Sequence, residues 1–294
     1  MIAIRPRRSA LYMPGSNARA IEKARSLAAD AVILDLEDAV APDAKEQARE
    51  QVCAAVREGG FGQREVIVRV NGLDTAWGEA DLAAAAGAAP DAILVPKVAS
   101  PETLAIVGSR LRRLGAPERT RVWAMIETPL AILDAAAIAS AALDVDSRLA
   151  CLVMGTNDLA KETRARLLPG RAPMLPWLMT AIAAARAYEI DILDGVYNVL
   201  TDDVGLRAEC EQGRDMGFDG KTLIHPNQIA PANEIFAPDP EEVARSNAVI
   251  AAFDRPENAG KGAIQLDGRM VERMHADIAR RVVALADAIA RGRA

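Results

Sequence analysis

Residues 149–161, with the sequence LACLVMGTNDLAK, decide the fold class of this chain. The stretch opens with an apolar run, residues 149–154, whose length and composition are typical of a strand buried on both faces. The run ends at Gly155, polar residues follow as far as Asp158, and a helical pattern then resumes. Parallel α/β proteins keep their functional side chains at the carboxyl ends of such strands, so Asp158 is the first candidate site residue.

A second stretch of the same kind lies upstream at residues 122–129, VWAMIETP. It also ends in an acid, Glu127, and Pro129 stops the strand because proline cannot donate a backbone hydrogen bond. The carboxyl ends of consecutive parallel strands lie side by side. Two carboxylates with room for water suit Mg²⁺, so we expect Glu127 and Asp158 to bind this ion. The alternative is that both acids only cap the helices that follow them.

Short apolar runs alternate with helical patterns along the chain, and we count eight such runs. This alternation predicts an α/β fold, a (β/α)8 TIM barrel with a C-terminal helical lid extension. We assign residues 1–235 to the barrel and expect Ser16 to cap its first helix. The predicted strands are residues 10–13, 31–36, 65–70, 92–95, 122–127, 149–154, 192–197 and 221–224.

Residues 236–294 remain after the eighth strand and need a separate role. Helical patterns cover residues 241–253 and 270–290, with a polar, glycine-containing linker, a short apolar piece and an Asp-Gly turn between them. We interpret this extension as a lid over the barrel mouth, either its own or that of a neighbouring subunit. The alternative is a packing arm that only seals an oligomer contact.

Composition and charge exclude several classes of function. The chain has 294 residues, 51% of them hydrophobic, and a formal net charge of −6. Mild acidity and the lack of a basic stripe argue against nucleic-acid binding, and no apolar run is long enough to span a bilayer. The start of the sequence does not resemble a signal peptide. The three cysteines, Cys53, Cys151 and Cys210, have no ligand spacing, which predicts a reducing, cytoplasmic location.

Each of the other polar residues at predicted strand ends has two possible roles. Arg69 either pairs with a strand-end acid or binds a substrate carboxylate or thioester oxygen. Lys97 is a possible Schiff-base residue, although the two carboxylates offer a competing metal-based chemistry. His225 is either an acid–base group or a hydrogen-bonded turn residue. The acid cluster Asp35, Glu37 and Asp38 either surrounds metal-bound water or caps the turn and forms salt bridges.

Seven motifs along the chain carry a family resemblance: LYMPGS (11–16), ILDLED (33–38), VRVNG (68–72), VPK (95–97), MIET (125–128), MGTNDL (154–159) and TLIHP (222–226). In this order they resemble the citrate lyase β-subunit and malyl-CoA lyase family, over essentially the whole chain. The resemblance implies Mg²⁺, a CoA thioester substrate, and homotrimers or hexamers in which one subunit's lid closes on its neighbour's site.

The resemblance also implies roles for individual residues. Glu127 and Asp158 would be the metal ligands, and Arg69 would face the reacting end of the substrate. Contacts to the substrate or CoA would come from Lys23 and from the backbone around Asn157, Ile224 and His225. Related lyases have an arginine where this chain has Asn17, so the resemblance does not extend to that CoA-phosphate contact.

The lid motif departs from the lyase pattern. In the lyases a catalytic aspartate follows a Gly-x-Met-Ile/Val motif, whereas here Gly268-Arg-Met-Val is followed by Glu272. Residues 205–226, together with this Val-Glu pair, look most similar to the malyl-CoA thioesterase branch. Glu272 is therefore a candidate catalytic carboxylate whose oxygens reach a different point from those of aspartate.

The resemblance implies an Mg-dependent lyase that cleaves malyl-, citramalyl- or citryl-CoA into acetyl-CoA and a 2-oxo acid. The alternative is a (3S)-malyl-CoA thioesterase on the same scaffold, in which Glu272 activates water or attacks the thioester carbonyl. A further alternative is a weakly active acyl-CoA-binding subunit of a citrate lyase complex. The sequence leaves open which bond is cleaved.

Overall fold

Eight parallel strands follow one another around a closed barrel, in the order of the chain. The structure is a computed structural model and describes residues 4–293. It confirms the predicted (β/α)8 barrel, although several strands are shorter than predicted, most clearly the seventh. The barrel strands are β1 Ser9–Pro14, β2 Ala31–Asp35, β3 Glu65–Arg69, β4 Ala92–Val95, β5 Arg121–Ile126, β6 Leu149–Met154, β7 Asp191–Asp194 and β8 Gly220–Leu223.

The alternation of side chains along each strand explains the barrel core. One set of alternate residues fills the interior and mixes small with large side chains, from Ala10 and Ala31 to Trp123. The other set packs outward, where leucine, isoleucine and valine side chains lie buried. Because both faces are covered, strands such as β6, with the sequence LACLVM, are apolar throughout, as is typical of parallel strands, whereas β7 and β8 also contain charged residues.

Helices follow the barrel strands. After β5, Asp134 ends one short helix and begins another. The prediction that Ser16 caps the first helix is wrong: Asn17 does so, by accepting a hydrogen bond from the backbone of Ala20. The barrel helices are α1 Ala18–Ala24, α2 Lys45–Glu58, α3 Gly78–Ala88, α4 Pro101–Arg113, α5 Pro129–Leu133, α6 Ala135–Ser140, α7 Thr156–Thr163, α8 Leu175–Ala187, α9 Asp203–Met216 and α10 Ile229–Ile235.

Charged side chains close the amino-terminal end of the barrel. Arg7 pairs with Glu65 at 2.7 Å and with Asp191 at 2.5 Å, and its guanidinium lies 5.1 Å from the centroid of a Trp123 ring. These residues precede or open their strands, so they stand at the end opposite to Glu127 and Asp158. This end of the barrel is therefore sealed, and the chemistry belongs at the carboxyl end.

A second compact unit begins at Ile235, whereas Arg7–Glu234 make up the barrel unit. It contains α11 Pro240–Phe253, a hairpin of β9 Ala263–Leu266 with β10 Arg269–Glu272, and α12 Arg273–Arg293. Its own apolar cluster includes Phe253, Ile264 and Ala276. The final helix, predicted from residue 270, begins at Arg273 because the preceding residues pair as a strand. Across residues 4–293, no helix combines the length and apolarity needed to cross a membrane.

Candidate active site

Glu127 is the first residue after β5 and only 1% exposed. Its Oε1 accepts a hydrogen bond of 2.7 Å from the backbone N–H of Lys97. Lys97 has a φ of 51°, a left-handed conformation that costs a non-glycine residue about 1 kcal/mol or more. The helix α5 is capped by Thr128, so a capping role does not explain the buried carboxyl of Glu127.

Asp158 lies half-buried in the first turn of α7, just after β6. Gly155 is the N-cap of this helix, and no side-chain cap is formed, so Asp158 is not the capping residue either. The strands β5 and β6 are hydrogen-bonded neighbours. The charge of Asp158 is close enough to Glu127 to help raise the pKa of that carboxyl. The fold thus brings the two predicted metal ligands together.

The electrostatic environment of Glu127 suits a cation. Burial, followed by the charge of Glu37, raises the pKa of Glu127 to about 8, and the hydrogen bond from Lys97 only partly offsets this. Among residues 4–293, no group donates a hydrogen bond to Glu127 Oε2. Nor does this part of the chain contain a cluster of three or more His, Cys, Asp or Glu side chains fit to hold a metal ion. Two carboxylates with water and substrate would suffice for Mg²⁺, so the donor set fits that ion.

Gly155 allows β6 to approach Glu127 closely. A Cβ atom at this glycine would lie 2.4 Å from Glu127 Cβ and 2.5 Å from Glu127 Oε2. Nonbonded contacts this short to a Cβ atom are essentially absent from proteins, so any side chain here would displace the carboxylate. Gly155 is therefore a positioning residue that sequence reasoning treated only as the end of a strand.

We expect Gly155→Ala to lower turnover at least 10-fold and to destabilise the fold by about 1–3 kcal/mol, because the new methyl group overpacks the site. Steady-state kinetics and chemical denaturation measure the two effects. Gly87→Ala is the matched control, since a Cβ at Gly87 meets nothing within 4 Å. Equal behaviour of the two variants would show that Glu127 tolerates displacement.

Arg69, the last residue of β3, is held in place by neighbouring strands. Its Nε and Nη2 donate to the two carboxylate oxygens of Asp35 at 2.7 and 2.6 Å. Its Nη1 lies 2.8 Å from Oε2 of Glu37, and its guanidinium carbon lies 4.8 Å from the ring centroid of Tyr12. The structure therefore shows the pairing with a strand-end acid. Because Asp35 occupies the bidentate edge, only the Nη1 side can serve a substrate.

Glu37 and Lys97 complete the group of charges. Glu37 Oε2 is buried and has no aligned hydrogen bond among the described residues, and burial raises the pKa of Glu37 to about 7. The amine of Lys97 lies 3.9 Å from Glu37 Oε1. Burial opposes its charge, but Glu37 and further carboxylates outweigh burial and raise the pKa of Lys97. A Schiff-base lysine needs a neutral amine, so this environment disfavours that role.

Asp35 belongs to a turn as well as to the ion pair with Arg69. Its two carboxylate oxygens accept hydrogen bonds from the backbone N–H groups of Glu37 and Ala39, at 2.9 and 3.0 Å. The neighbouring Asp38 is exposed and lies 3.6 Å from Arg69. Capping and salt bridges therefore account for Asp35 and Asp38, which was one of the two readings of the acid cluster.

Two of the other predicted substrate contacts lie at the surface. Lys23 is exposed on α1, and Asn157 is exposed at the start of α7. The amides of Asn157 and Asn198 pair reciprocally, at 3.2 and 2.8 Å. Asn198 lies on the loop after β7 and was not predicted, because only the closed barrel brings the two loops together.

Ile224 and His225 follow β8. The backbone N–H of Ile224 donates to the side chain of Gln228 at 2.9 Å, so this N–H already has a partner. The ring of His225 is exposed, and its Nδ1 lies 2.7 Å from Oδ1 of Asn227 and 3.3 Å from the backbone nitrogen of the same residue. This is the hydrogen-bonded turn role that the sequence left open. The roles of both residues in binding stay predictions.

Glu272 belongs to the second unit. It is the last residue of β10, exposed, and its backbone N–H donates to Nδ1 of His275 at 2.9 Å. The residue immediately precedes α12, and a negative charge at the amino-terminal end of a helix interacts favourably with the helix dipole. Its catalytic role stays a prediction.

Tyr12 was also missed as a site residue. Its ring packs against Arg69, and its hydroxyl lies 3.9 Å from the sulfur of Met125. The available signal was alternation: Tyr12 follows the inward-facing Ala10 by two residues on β1, so it also faces the interior.

The sequence of this chain is similar to those of several known proteins. Residues 8–226 match the model of the HpcH/HpaI aldolase/citrate lyase family. A (3S)-malyl-CoA thioesterase of Cereibacter sphaeroides is 51% identical over 98% of both chains. The citrate lyase subunit beta of Escherichia coli is 33% identical over 96% of this chain and 94% of that protein. A mitochondrial citramalyl-CoA lyase of Rattus norvegicus is 31% identical over 97% of this chain and 87% of its own length.

Solved structures of citrate lyase-type proteins are also similar to this chain. The protein CitE of Mycobacterium tuberculosis, in complex with magnesium, acetoacetate and coenzyme A, is 28% identical with a TM-score of 0.74. The match covers 95% of this chain and 97% of that one. A citrate lyase of Burkholderia xenovorans has a TM-score of 0.82 at 20% identity, covering 98% and 94% of the two chains, which supports the fold alone.

Proposed function

This chain belongs to the HpcH/HpaI aldolase/citrate lyase family, and we propose that it hydrolyses the thioester of a malyl-CoA-type substrate with the help of Mg²⁺. The observation that carries the proposal is the 51% identity with a (3S)-malyl-CoA thioesterase over nearly the whole of both chains. Glu272 in place of the lyase aspartate supports the same choice. Relatives described as lyases are less similar, at 31–33% identity.

Each residue has a proposed task in this reaction. Glu127 and Asp158 would hold Mg²⁺, which supplies positive charge to bind and orient the hydroxy-acid end of the substrate. Arg69 Nη1 would stabilise the negative charge that develops on the thioester oxygen. Glu272 would activate water against the thioester carbonyl or attack that carbonyl itself. Lys23, Asn157, Ile224 and His225 would contact the substrate or CoA.

Product analysis with malyl-CoA tests the proposal. Mass spectrometry should find free CoA and malate after incubation with the isolated chain and Mg²⁺. Acetyl-CoA and glyoxylate would instead support the second candidate, carbon–carbon cleavage, which is favoured by the similarity to the citramalyl-CoA lyase. No turnover would support the third, an acyl-CoA-binding subunit of a larger complex, favoured by the similarity to citrate lyase β-subunits. Citramalyl- and citryl-CoA extend the panel to other acyl groups.

Mg²⁺ should raise the unfolding temperature more at about pH 8.5 than at about pH 6. Burial raises the pKa of Glu127 from 4.5 to about 8. The carboxyl therefore contributes stability that is full below about pH 4.5 and is lost as the pH rises through about 8. Mg²⁺ binds the ionised form, so its stabilising effect grows over this range. Thermal scans with and without Mg²⁺ measure it, and equal shifts at both pH values would contradict the assignment.

We also propose a homotrimer or hexamer in which the second unit of one chain serves a neighbour. Support comes from exposed apolar side chains in this unit: Met270 on β10, and Met274 and Ile278 one turn apart on α12, are 72%, 57% and 56% exposed. The proposal includes a cytoplasmic location, supported by three buried free cysteines.

Light scattering at about 10 µM tests the assembly. We expect a trimer or hexamer for the parent chain, and dissociation when Met274 and Ile278 are both replaced by glutamate, because charge in an apolar contact is costly. Leu143→Glu is the control, since Leu143 is 78% exposed on the barrel unit. A monomeric parent with full activity would rule out lid exchange.

A further inference from the structure

Two hydrogen-bond donors converge on one weak acceptor in the barrel interior. The hydroxyl of Tyr12 lies 3.9 Å from the sulfur of Met125, and Nη1 of Arg69 lies 3.7 Å from the same sulfur. A thioether is a poor acceptor. For the hydroxyl, this sulfur is the sole hydrogen-bond partner within residues 4–293. Its capacity to donate to oxygen is therefore unused.

The position of Tyr12 connects this hydroxyl to the candidate site. Its ring lies against the guanidinium of Arg69, with 4.8 Å between the ring centroid and the guanidinium carbon. Met125 precedes Glu127 by two residues on β5 and faces the interior. A Cβ atom built at Gly155 would lie 3.2 Å from the terminal methyl of Met125 and 2.5 Å from Oε2 of Glu127. Met125 and the carboxylate of Glu127 therefore both lie beside Gly155. Tyr12 as a whole residue is only partly buried.

We propose that the Tyr12 hydroxyl is a catalytic group that donates a hydrogen bond to the thioester oxygen of the substrate, beside Nη1 of Arg69. The inference rests on the proposed function and names a second donor for it. Negative charge grows on this oxygen whether water attacks the thioester carbonyl or an enolate leaves, so the donor serves either reaction. Two donors on one developing oxyanion are the arrangement that acyl-transfer sites use.

The protonation state of Tyr12 agrees with a donor. Burial raises the pKa of the phenol well above its usual value, and the nearby carboxylates Asp35 and Glu127 act in the same direction. Arg69 opposes them without reversing the effect. The hydroxyl therefore keeps its proton throughout the neutral range and is able to donate.

Tyr12→Phe tests the proposal because it removes the oxygen and keeps the ring against Arg69. We expect kcat with malyl-CoA to fall about 100-fold with KM nearly unchanged, the pattern of a contact made mainly in the transition state. Two controls accompany it. Met125→Leu removes the sulfur contact of the hydroxyl at similar volume, and Tyr188→Phe removes a hydroxyl at the C-terminal end of α8. Both should retain activity within about twofold, by the usual tolerance of such swaps.

The outcomes distinguish failure of this inference from failure of the proposed function. A Tyr12→Phe variant as active as the parent overturns this inference and leaves the proposed function intact. Equal losses in Tyr12→Phe and Met125→Leu also overturn it, because the oxygen–sulfur contact would then be structural. A parent chain that turns over no CoA thioester overturns the proposed function and this inference together.

Discussion

Replacing Glu127 with glutamine is expected to lower malyl-CoA turnover by roughly 10³-fold or more, because about 4 kcal/mol of metal-derived stabilisation is lost. The amide keeps the side-chain volume and can still accept the 2.7 Å hydrogen bond from Lys97. The substitution therefore removes the charge and leaves the packing. Mg²⁺ should no longer raise the unfolding temperature of this variant.

The stability of Glu127→Gln without Mg²⁺ distinguishes loss of the metal site from loss of the fold. An ionised Glu127 is costly in its buried position, as the pKa of about 8 indicates. Without Mg²⁺, the glutamine variant should therefore be at least as stable as the parent at about pH 8.5. Glu118→Gln, at an exposed position, is the control. Turnover that survives in the glutamine variant, or persists in excess chelator, would contradict the metal assignment.

Replacing Glu272 with alanine is expected to lower kcat by roughly 10²–10⁴, the usual effect of removing a general base. Mg²⁺ binding should be unchanged, because the proposed ligands are Glu127 and Asp158. The local fold should persist, because the hydrogen bond from residue 272 to His275 uses the backbone N–H. Steady-state kinetics and thermal scans measure the two effects. Glu257→Ala, an exposed carboxylate in the same unit, is the control.

Glu272→Asp is the sharper variant. The shorter side chain restores the residue that the lyase pattern has at this position. If the position of the carboxylate selects the reaction, this variant should lose hydrolysis and gain acetyl-CoA formation. A Glu272→Ala enzyme as fast as the parent would show that the carboxylate only favours the start of α12, an interaction worth about 0.3–1 kcal/mol.

The barrel could be predicted from sequence because each strand is buried on both faces. Runs such as residues 149–154 are apolar throughout, and a helical pattern separates one run from the next. The failures were local. Ser16 and Asn17 can both cap a helix, and the turn that precedes α1 decides between them.

The hairpin in the second unit was missed although the sequence carried a signal. Asp267 and Gly268 both have positive φ, at 48° and 76°, and join β9 to β10 as a two-residue turn. An Asp-Gly pair between two short segments is among the strongest hairpin signals. Residues 269–272 are mostly exposed and lack the apolar alternation of a strand. The predicted helix was therefore started too early, at residue 270 instead of Arg273.

The candidate site was only partly predictable for a different reason. Glu127, Asp158 and Arg69 could be named because each stands at the end of a strand or within a few residues after it. The bond from the Lys97 backbone to Glu127, the pairing of Asn157 with Asn198, and the contact of Tyr12 with Met125 join distant segments. Barrel closure determines these contacts, and no short-range pattern encodes them.

Hydrolysis in water enriched in ¹⁸O shows which bond of malyl-CoA this chain breaks. Malyl-CoA is incubated with the parent chain and Mg²⁺ for many turnovers, and the products are analysed by mass spectrometry. Attack on the thioester carbonyl predicts malate with one ¹⁸O in the newly formed carboxylate, and one free CoA for each malate. Acetyl-CoA and glyoxylate in equal amounts, without labelled malate, would contradict it.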